Sequence, residues 1–479
     1  MPRAALLFVL FASLLAPGAP AIGTRTHAEI GRRCAEQYLA GADAMLPGLG
    51  SLVAKRANLK ILYTACAFPD WGYGNINPDA GEASHWHPFM RAWAGELRGR
   101  GAGFDPSAGM QREMAFFLGA VCHNIADIPW HFSSGGDLSF LEKSAQMEGG
   151  THQVTEIGGD LIRYQKDRLR HWGMLNDYFP LDTVHTALTV SGVSVTREQL
   201  RTGYVREQMI MWGAPLVTAP FAADYERRLP WTVTHLEDYY FGGMEHNAAA
   251  CAMWCRYWYA EAAGGHCLQQ MPAYGAPGGA EGCGYCPYLG VSDATLAEDL
   301  PGHNTGGEAF LSVSAAAGRR RDTLVRFDLS RIPPTAPLSK AVLWMHCDRI
   351  GGTPPAVGVS AAAGPWTEGG GVSDLFNGEN GRPAEGGEVT WSQRPPGETA
   401  STPAGAVVPA AGQWASWDVT AQVRDWLADP ASNHGLRVMA AGTGEGAARF
   451  FSSQAFRASE DGYCGGTRVA FRPMLILLP

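Results

Sequence analysis

His123-Asn-Ile-Ala-Asp127-Ile-Pro-Trp-His131 closes a run, Met110 to Ile128, in which apolar residues recur three and four positions apart. That period is helical, and it puts His123 and Asp127 on one face, within reach of a single ion. Pro129 removes a backbone donor and is expected to bend the helix, aiming His131 at a different ion. A second segment, His152-Gln-Val-Thr-Glu156, again places a histidine four residues before a carboxylate. The neighbours of both segments are small or apolar, which implies burial, and buried imidazoles and carboxylates need partners. With His27, Asp70 and His85 upstream, the nitrogen and oxygen donors exceed what one tetrahedral zinc requires.

Outward from this stretch the helical pattern extends from His27 to about His266, with Ala28 to Leu39 and Asn247 to Ala262 as further clear examples. Residues 263–290 lose periodicity in Gly264-Gly265, Ala276-Pro-Gly-Gly-Ala280 and Gly282-Cys-Gly, and read as a Cys/Gly-rich linker. After Asp293 the chain changes to short alternating runs, among them Leu324-Val-Arg-Phe327, Lys340-Ala-Val-Leu-Trp344 and Pro473-Met-Leu-Ile-Leu477, separated by Gly, Pro and Ser. Such runs predict an antiparallel β-sandwich or jelly roll, with one helix over Val419 to Leu427. The expected architecture is multidomain α and β: an all-α domain over 22–262, then a β-sandwich domain over 291–479.

The chain has 479 residues, 46% hydrophobic and 17% charged, which suits two or three core-forming domains. A formal charge of −9, with no basic stripe beyond Arg319-Arg320-Arg321, argues against a nucleic-acid partner. Residues 1–21 run from Arg3 through the apolar Ala4 to Leu15 and end in Ala19-Pro-Ala21. This is the pattern of a signal peptide with a small-x-small cleavage site, so the mature protein is expected to be secreted. No later run reaches the roughly 18 apolar residues of a transmembrane segment. Of ten cysteines, eight precede residue 290 and two follow it, which in an oxidising compartment predicts disulfides within each half. Cys283-Gly-Tyr-Cys286 has half the spacing of a zinc ribbon but no second CxxC, and reads as disulfide-forming.

Two further segments carry donors. Phe68-Pro-Asp70-Trp71 and Ser84-His85-Trp86-His87-Pro88-Phe89 are loop-like, with an acid and two imidazoles among aromatics. His85 and His87 compete for one ligand role, and the pattern alone leaves both open. Cleavage after Ala21 would expose Ile22, whose α-amine and carbonyl can chelate zinc as a five-membered ring, with His27 completing the site.

Thr26-His-Ala-Glu-Ile-Gly31, Phe68-Pro-Asp70, Ser84-His-Trp86, His123-xxx-Asp127-xx-Trp130-His131, His152-xxx-Glu156 with Gly158-Gly159-Asp160, and Tyr240-Phe-Gly-Gly-Met244 together resemble the zinc-dependent phospholipase C superfamily. The likeness is strongest to the catalytic domain of the glycosylphosphatidylinositol-specific phospholipases D. It runs in order over residues 22 to about 260 and implies an all-helical domain with three zinc ions. Carried over by position, Asp70, His85, His123 and Asp127 would bind one ion, and His131, His152 and Glu156 a second. Ile22, His27 and Asp127 would bind a third, with Asp127 bridging two ions. The resemblance favours His85 over His87. The bacterial phospholipases begin with tryptophan where this chain has Ile22, a tolerable change because only main-chain atoms would bind.

The resemblance implies a phosphodiesterase acting on phospholipid or glycosylphosphatidylinositol (GPI) by metal-activated water, with Asp70 orienting or deprotonating that water. The ligands do not encode whether cleavage is C-type or D-type. The last third carries no repeats of a metal-binding β-propeller. Asp293-Ala-Thr295, Leu324 to Ser330, Trp366-Thr-Glu368, Thr390-Trp391, Trp417-Asp-Val-Thr420 with Trp426, and Phe451-Ser-Ser instead resemble the DNRLRE-type β-sandwich, which implies a polysaccharide-binding module. The alternatives are a zinc-dependent nuclease and a non-catalytic glycan-binding wall or matrix protein.

Overall fold

The computed structural model describes residues 23–133, 137–271, 290–373, 379–396, 406–441, 444–455 and 462–479. Residues 1–22, with the expected signal peptide and Ile22, lie outside the described residues. The chain divides into two compact units, a helical one up to Gly264 and a β unit from Gly265 onward, apart from a short exchange of residues near the boundary.

The helices of the first unit begin with α1 (Thr24–Arg33), α2 (Leu49–Ala54) and α3 (Arg56–Ala65). A 3₁₀ turn, Phe68–Gly72, leads to α4 (Pro78–Ala83), α5 (His87–Gly99) and α6 (Ala108–His131). Then come α7 (Phe140–Glu148), α8 (His152–Lys166), α9 (Arg168–Met174), α10 (Leu181–Val190), α11 (Arg197–Val217), α12 (Ala219–Arg228), α13 (Pro230–His235) and α14 (Met244–Ala263). The all-helical expectation therefore holds.

Helix α6 is the axis of this unit and packs on α3, α14 and α1. It is apolar nearly all round, as a central helix should be: from Met114 to Trp130 every residue but Asp127 is buried. Pro129 does not end the helix, because it sits in the last turn, where one missing N–H costs least. Phe132 N still donates to Ile128 O at 2.8 Å. A close approach also supports this end. Gly242 has φ +108°, and a Cβ there would stand 2.2 Å from Pro129 O, so the Gly-Gly of the Tyr240 to Met244 motif lets a loop lie against α6.

Helix α1 is held by charge. Arg25 and Glu29 are fully buried and lie 3.6 Å apart, and Arg32, Arg33, Arg163 and Asp167 complete the network. Burial opposes the Glu29 charge, but these guanidinium groups overcome it and hold its pKa at about 2. A buried network of this kind is costly to break, so α1 is fixed in register.

The β unit begins earlier than the pattern predicts. Within the segment read as a linker, β1 (His266–Gln269) pairs antiparallel with the last strand, β12 (Met474–Leu478). A four-residue strand is too short to show a period of its own, and residues 272–289 lie outside the described residues. The others are β2 (Val291–Ala297), β3 (His303–Asn304), β4 (Phe310–Ser314), β5 (Arg321–Phe327), β6 (Lys340–Gly351), β7 (Ala356–Ala361), β8 (Arg382–Pro383), β9 (Gln413–Asp418), β10 (Leu436–Ala441) and β11 (Ala447–Phe451). Ten of them form one antiparallel sheet in the order β1-β12-β6-β11-β4-β5-β10-β7, with β2 on β5 and β9 on β6. Since β5 and β6 each take partners on more than two strands, the sheet curls around its own interior. The helix expected near Val419 is α15 (Thr420–Ala428).

Trp344, Trp366, Trp417 and Trp426 are buried in this unit. Trp366 Nε1 donates to His434 O at 2.7 Å and Trp417 Nε1 to Val357 O at 2.9 Å. These tryptophans fill the core rather than forming an exposed platform for sugar rings.

The expected disulfides are not formed at Cys34, Cys66, Cys122, Cys251, Cys255 or Cys347, which carry thiols. The first five meet where α1, α3, α6 and α14 cross. Cys283, Cys286 and the Cys464 side chain lie outside the described residues.

Candidate metal centre

Five elements bring the predicted donors together. Helix α1 supplies His27 from its first turn, the 3₁₀ turn supplies Asp70, and the turn after α4 supplies His85. Helix α6 supplies His123, Asp127 and His131 at successive turns of one face. Helix α8 supplies His152 and Glu156 from its first two turns, started by Thr151, whose side chain accepts from Val154 N.

The motif residues between the donors set these positions. Ser84 Oγ accepts from Trp71 Nε1 at 2.9 Å and donates to Ala80 O at 2.9 Å, while Ser84 O accepts from Asn124 Nδ2 at 3.1 Å. The Asp70 turn, the His85 turn and α6 are thereby tied together. Gly31 lets α1 press on its neighbours, since a Cβ there would meet Cys66 Sγ at 2.3 Å.

The donors form three overlapping groups whose ligand atoms lie within 4.8 Å of one another: Asp70, His85 and His123; His27, His123 and Asp127; and His131, His152 and Glu156. In the first, His85 Nε2 is 3.1 Å from His123 Nε2 and 3.3 Å from Asp70 Oδ1. Asp127 turns Oδ1 to His27 Nε2 at 2.8 Å and to His131 Nε2 at 3.5 Å, and Oδ2 to His123 Nε2 at 3.4 Å and His85 Nε2 at 3.6 Å. His131 Nδ1 lies 2.8 Å from His152 Nε2, and its Nε2 lies 3.7 Å from Glu156 Oε1. His131 falls in a different group from His123 because it is two turns further along α6, about 12 Å of rise. His87 is elsewhere, its ring tilted against Trp258 and 3.3 Å from an Arg91 nitrogen. Ile22 lies outside the described residues.

Ring orientation tests whether this set suits a cation. Nδ1 of His27, His85 and His123 faces a backbone carbonyl: Gly23 O at 2.7 Å, Gly81 O at 2.9 Å and Cys66 O at 2.6 Å. A nitrogen facing a carbonyl must carry the proton, so each neutral ring presents its Nε2 lone pair inward. Lone pairs on His85 and His123 then face each other, which is tolerable only with a positive charge between them. The same carbonyl anchoring is the usual support of a metal-bound imidazole. Two buried polar atoms aimed into the cluster, Asp70 Oδ2 and Glu156 Oε1, make no hydrogen bond, although buried polar groups almost always do. The donor set fits zinc, which takes imidazole nitrogen and carboxylate oxygen.

The protonation pattern points the same way. Burial opposes charge on His27 and His85, yet Asp127 for the first and Asp70 with Asp127 for the second lift their pKa values to about 9. Burial and the nearby His27 push His123 down. Burial would raise the Asp127 pKa, but His123 and His27 hold it well below the ordinary carboxylate value. Without a metal the site recruits protons to balance its carboxylates; a cation does so without them.

Two supporting residues carry no ligand spacing. Asp160 is fully buried and accepts from Thr26 N at 2.7 Å and Thr26 Oγ1 at 3.1 Å, which holds the first turn of α1 beside His27. Burial pushes its carboxyl up to about 7. Glu207 on α11 is buried near Asp70, and burial together with Asp70 raises it to about 8. Asp160 sits one turn after Glu156, a cue readable in sequence; Glu207 has none.

A family model described as zinc dependent phospholipase C matches residues 26–192. Among curated proteins, the phosphatidylinositol-glycan-specific phospholipase D of Bos taurus is 25% identical over 259 residues, covering 50% of this chain and 29% of that protein. That of Homo sapiens is 24% identical over 255 residues, with the same coverage of 50% and 29%. That of Dictyostelium discoideum is 27% identical over 201 residues, covering 39% of this chain and 20% of the relative. The chain thus spans less than a third of the length of these relatives. All of these matches fall on about half of the chain or less, and the family match carries every donor from His27 to Glu156. Over residues 26–192 the chain is thus similar to the zinc-dependent phospholipase C family.

Proposed function

We propose that the helical unit is a zinc-dependent phosphodiesterase that hydrolyses the phosphodiester bond of phospholipids or GPI. The observation that carries this reading is the convergence of three carbonyl-anchored imidazoles on two carboxylates, with orphaned atoms between them. Asp70, His85, His123 and Asp127 would hold one zinc; His131, His152 and Glu156 a second; and His27, Asp127 and the main chain of Ile22 a third. Asp127 suits a bridging role because its two oxygens face different groups. Zinc bound there would acidify a water molecule and offset charge on the phosphoryl oxygens.

The protein's own groups do the rest. Backbone carbonyls of Gly23, Gly81 and Cys66 keep the three rings in the metal-binding tautomer. Asp70, whose Oδ2 has no hydrogen-bond partner, would orient the attacking water and take its proton. No residue of this set is needed as a covalent nucleophile. Among the described residues no helix is long and apolar enough to cross a membrane. Export through cleavage after Ala21 is part of the proposal, because it frees the Ile22 amine.

The test is mass spectrometry of products from a GPI-anchored substrate, phosphatidylcholine and a single-stranded oligonucleotide, before and after chelation and zinc restoration. Phosphodiester cleavage of a lipid substrate, lost on chelation and regained with zinc, is expected, and the product masses assign C-type or D-type cleavage. Activity that survives chelation overturns the metal role. Cleavage of the oligonucleotide alone overturns the lipid assignment.

A further inference from the structure

Behind the imidazole face of α6 lies a second convergence of metal-binding groups. Cys122, adjacent to His123 in sequence, points to the other side of the helix. There it meets Cys34 at the end of α1, Cys66 after α3, and Cys251 and Cys255 one turn apart on α14. All five are buried. The sulfurs of Cys34, Cys122 and Cys255 lie within 4.8 Å of one another, and Cys122 Sγ is 3.6 Å from Cys255 Sγ. Cys66 and Cys251 also set their thiols against Cys122.

These spacings have a chemical scale to be compared with. Thiolates bind zinc at about 2.3 Å, so neighbouring sulfurs of a tetrahedral site stand about 3.8 Å apart. The 3.6 Å of Cys122 and Cys255 is close to that edge, and well beyond the roughly 2.05 Å of a sulfur–sulfur bond. Two other observations concern the surroundings. The helix widens at Cys34, where α1 passes into a π-helical turn, Cys34–Leu39; such turns are rare and concentrate at functional sites. Arg256, one residue past Cys255, is buried, its Nη2 donates to Tyr38 O at 3.2 Å, and its charge acts on Cys34. A buried guanidinium beside thiols is what the net negative charge of a zinc–thiolate group requires.

We propose that Cys34, Cys122 and Cys255, with Cys66 or Cys251 as the fourth ligand, bind a structural zinc ion in the interior of the helical unit. On binding, each thiol gives up its proton and forms a zinc–sulfur bond, and the metal's oxidation state does not change. This ion would be distinct from those of the imidazole–carboxylate cluster, which has no sulfur donor. It would tie α1, α6 and α14 together directly behind that cluster.

Zinc K-edge X-ray absorption on the full chain decides the matter, because the imidazole–carboxylate cluster has no sulfur donor and the Cys34 and Cys255 variants tie any sulfur shell to this group. A sulfur shell at about 2.3 Å is expected beside nitrogen and oxygen, and Cys34→Ala and Cys255→Ala should each remove it together with one zinc per chain. A wild-type spectrum with nitrogen and oxygen ligands alone overturns the proposal, whether or not either variant folds. So does alkylation mass spectrometry of the denatured wild type that finds any of Cys34, Cys122 or Cys255 in a disulfide. A sulfur shell in a protein inactive on every phosphodiester would leave this site standing and remove the proposed function; an active protein without the shell would do the reverse.

Discussion

Both units bury charged groups, but they satisfy them differently. In the β unit Asp322 is fully buried and bonded to Arg437, whose Nε lies 3.1 Å from Oδ2, with Arg320 Nε at 3.2 Å from Oδ1. Asp293 Oδ2 accepts from Ser453 N at 2.6 Å, and Glu368 accepts from Asp293 N at 2.8 Å. Each of these acids is answered by protein. In the helical unit, by contrast, Asp70 Oδ2 and Glu156 Oε1 are buried with no hydrogen bond, and two imidazole nitrogens face each other at 3.1 Å. Buried polar groups that satisfy one another are architecture; those that converge and stay unpaired are the groups a bound cation would satisfy.

The sharpest way to break this contrast is Asp127→Asn. The amide keeps the shape but removes the charge that balances His27, His85 and His123. Activity on a lipid phosphodiester should fall about a thousandfold, the scale of several kcal/mol of lost transition-state stabilisation, and zinc content should fall with it. Full zinc content with normal turnover would return the cluster to the class of structural polar groups.

Asp322→Ala makes the opposite prediction for the β unit. It leaves Arg437 buried and short of its charge partner, which should cost about 3–5 kcal/mol, read as a lower denaturation midpoint of the β transition. Zinc content should not change.

Asp160→Asn tests the support beneath the metal cluster. Losing a group that orients a ligand-bearing turn typically costs about 10–100-fold in metal affinity or activity, so zinc should bind more weakly while the ligands themselves are intact. An unchanged zinc affinity would show that α1 is held by the Arg25–Glu29 network alone.

The smallest effect is a pH dependence of the β unit. Burial pushes Asp293 up to about 7 and Glu368, further raised by Asp293, up to about 8, whereas unfolded carboxyls titrate near about 4. Above about 4 the folded unit therefore binds more protons than the unfolded chain. The stabilisation from these protons is complete below about 4, falls as pH rises from there, and is fully lost once pH passes about 7 to 8. The thermal midpoint of the β unit should decline across that window, and Asp293→Asn should flatten the decline; an equally steep decline in the variant would place the titrating group elsewhere.

Much of the centre was legible along the chain. Helical spacing puts His123 beside Asp127 and His152 beside Glu156 wherever those helices lie, and the apolar neighbours of α6 foretell its burial. The short strand β1 was not legible, since four residues carry no measurable period, and its partner lies at the far end of the chain. Nor were the cysteines. In an exported chain ten of them suggest disulfides, but five converge on one helix crossing with their thiols intact.

Local geometry explains this division. A spacing of four along a helix fixes which side chains share a face, because the helical repeat is the same everywhere. So the sequence by itself determined the types of donor, their pairing along α6 and α8, and the helical character of the unit that holds them. Tertiary structure alone decided that His85 and not His87 faces His123, that carbonyls of Gly23, Gly81 and Cys66 lock three tautomers, and that Asp127 reaches toward two groups at once. Those relations join residues far apart in the chain, and they exist only where helices cross.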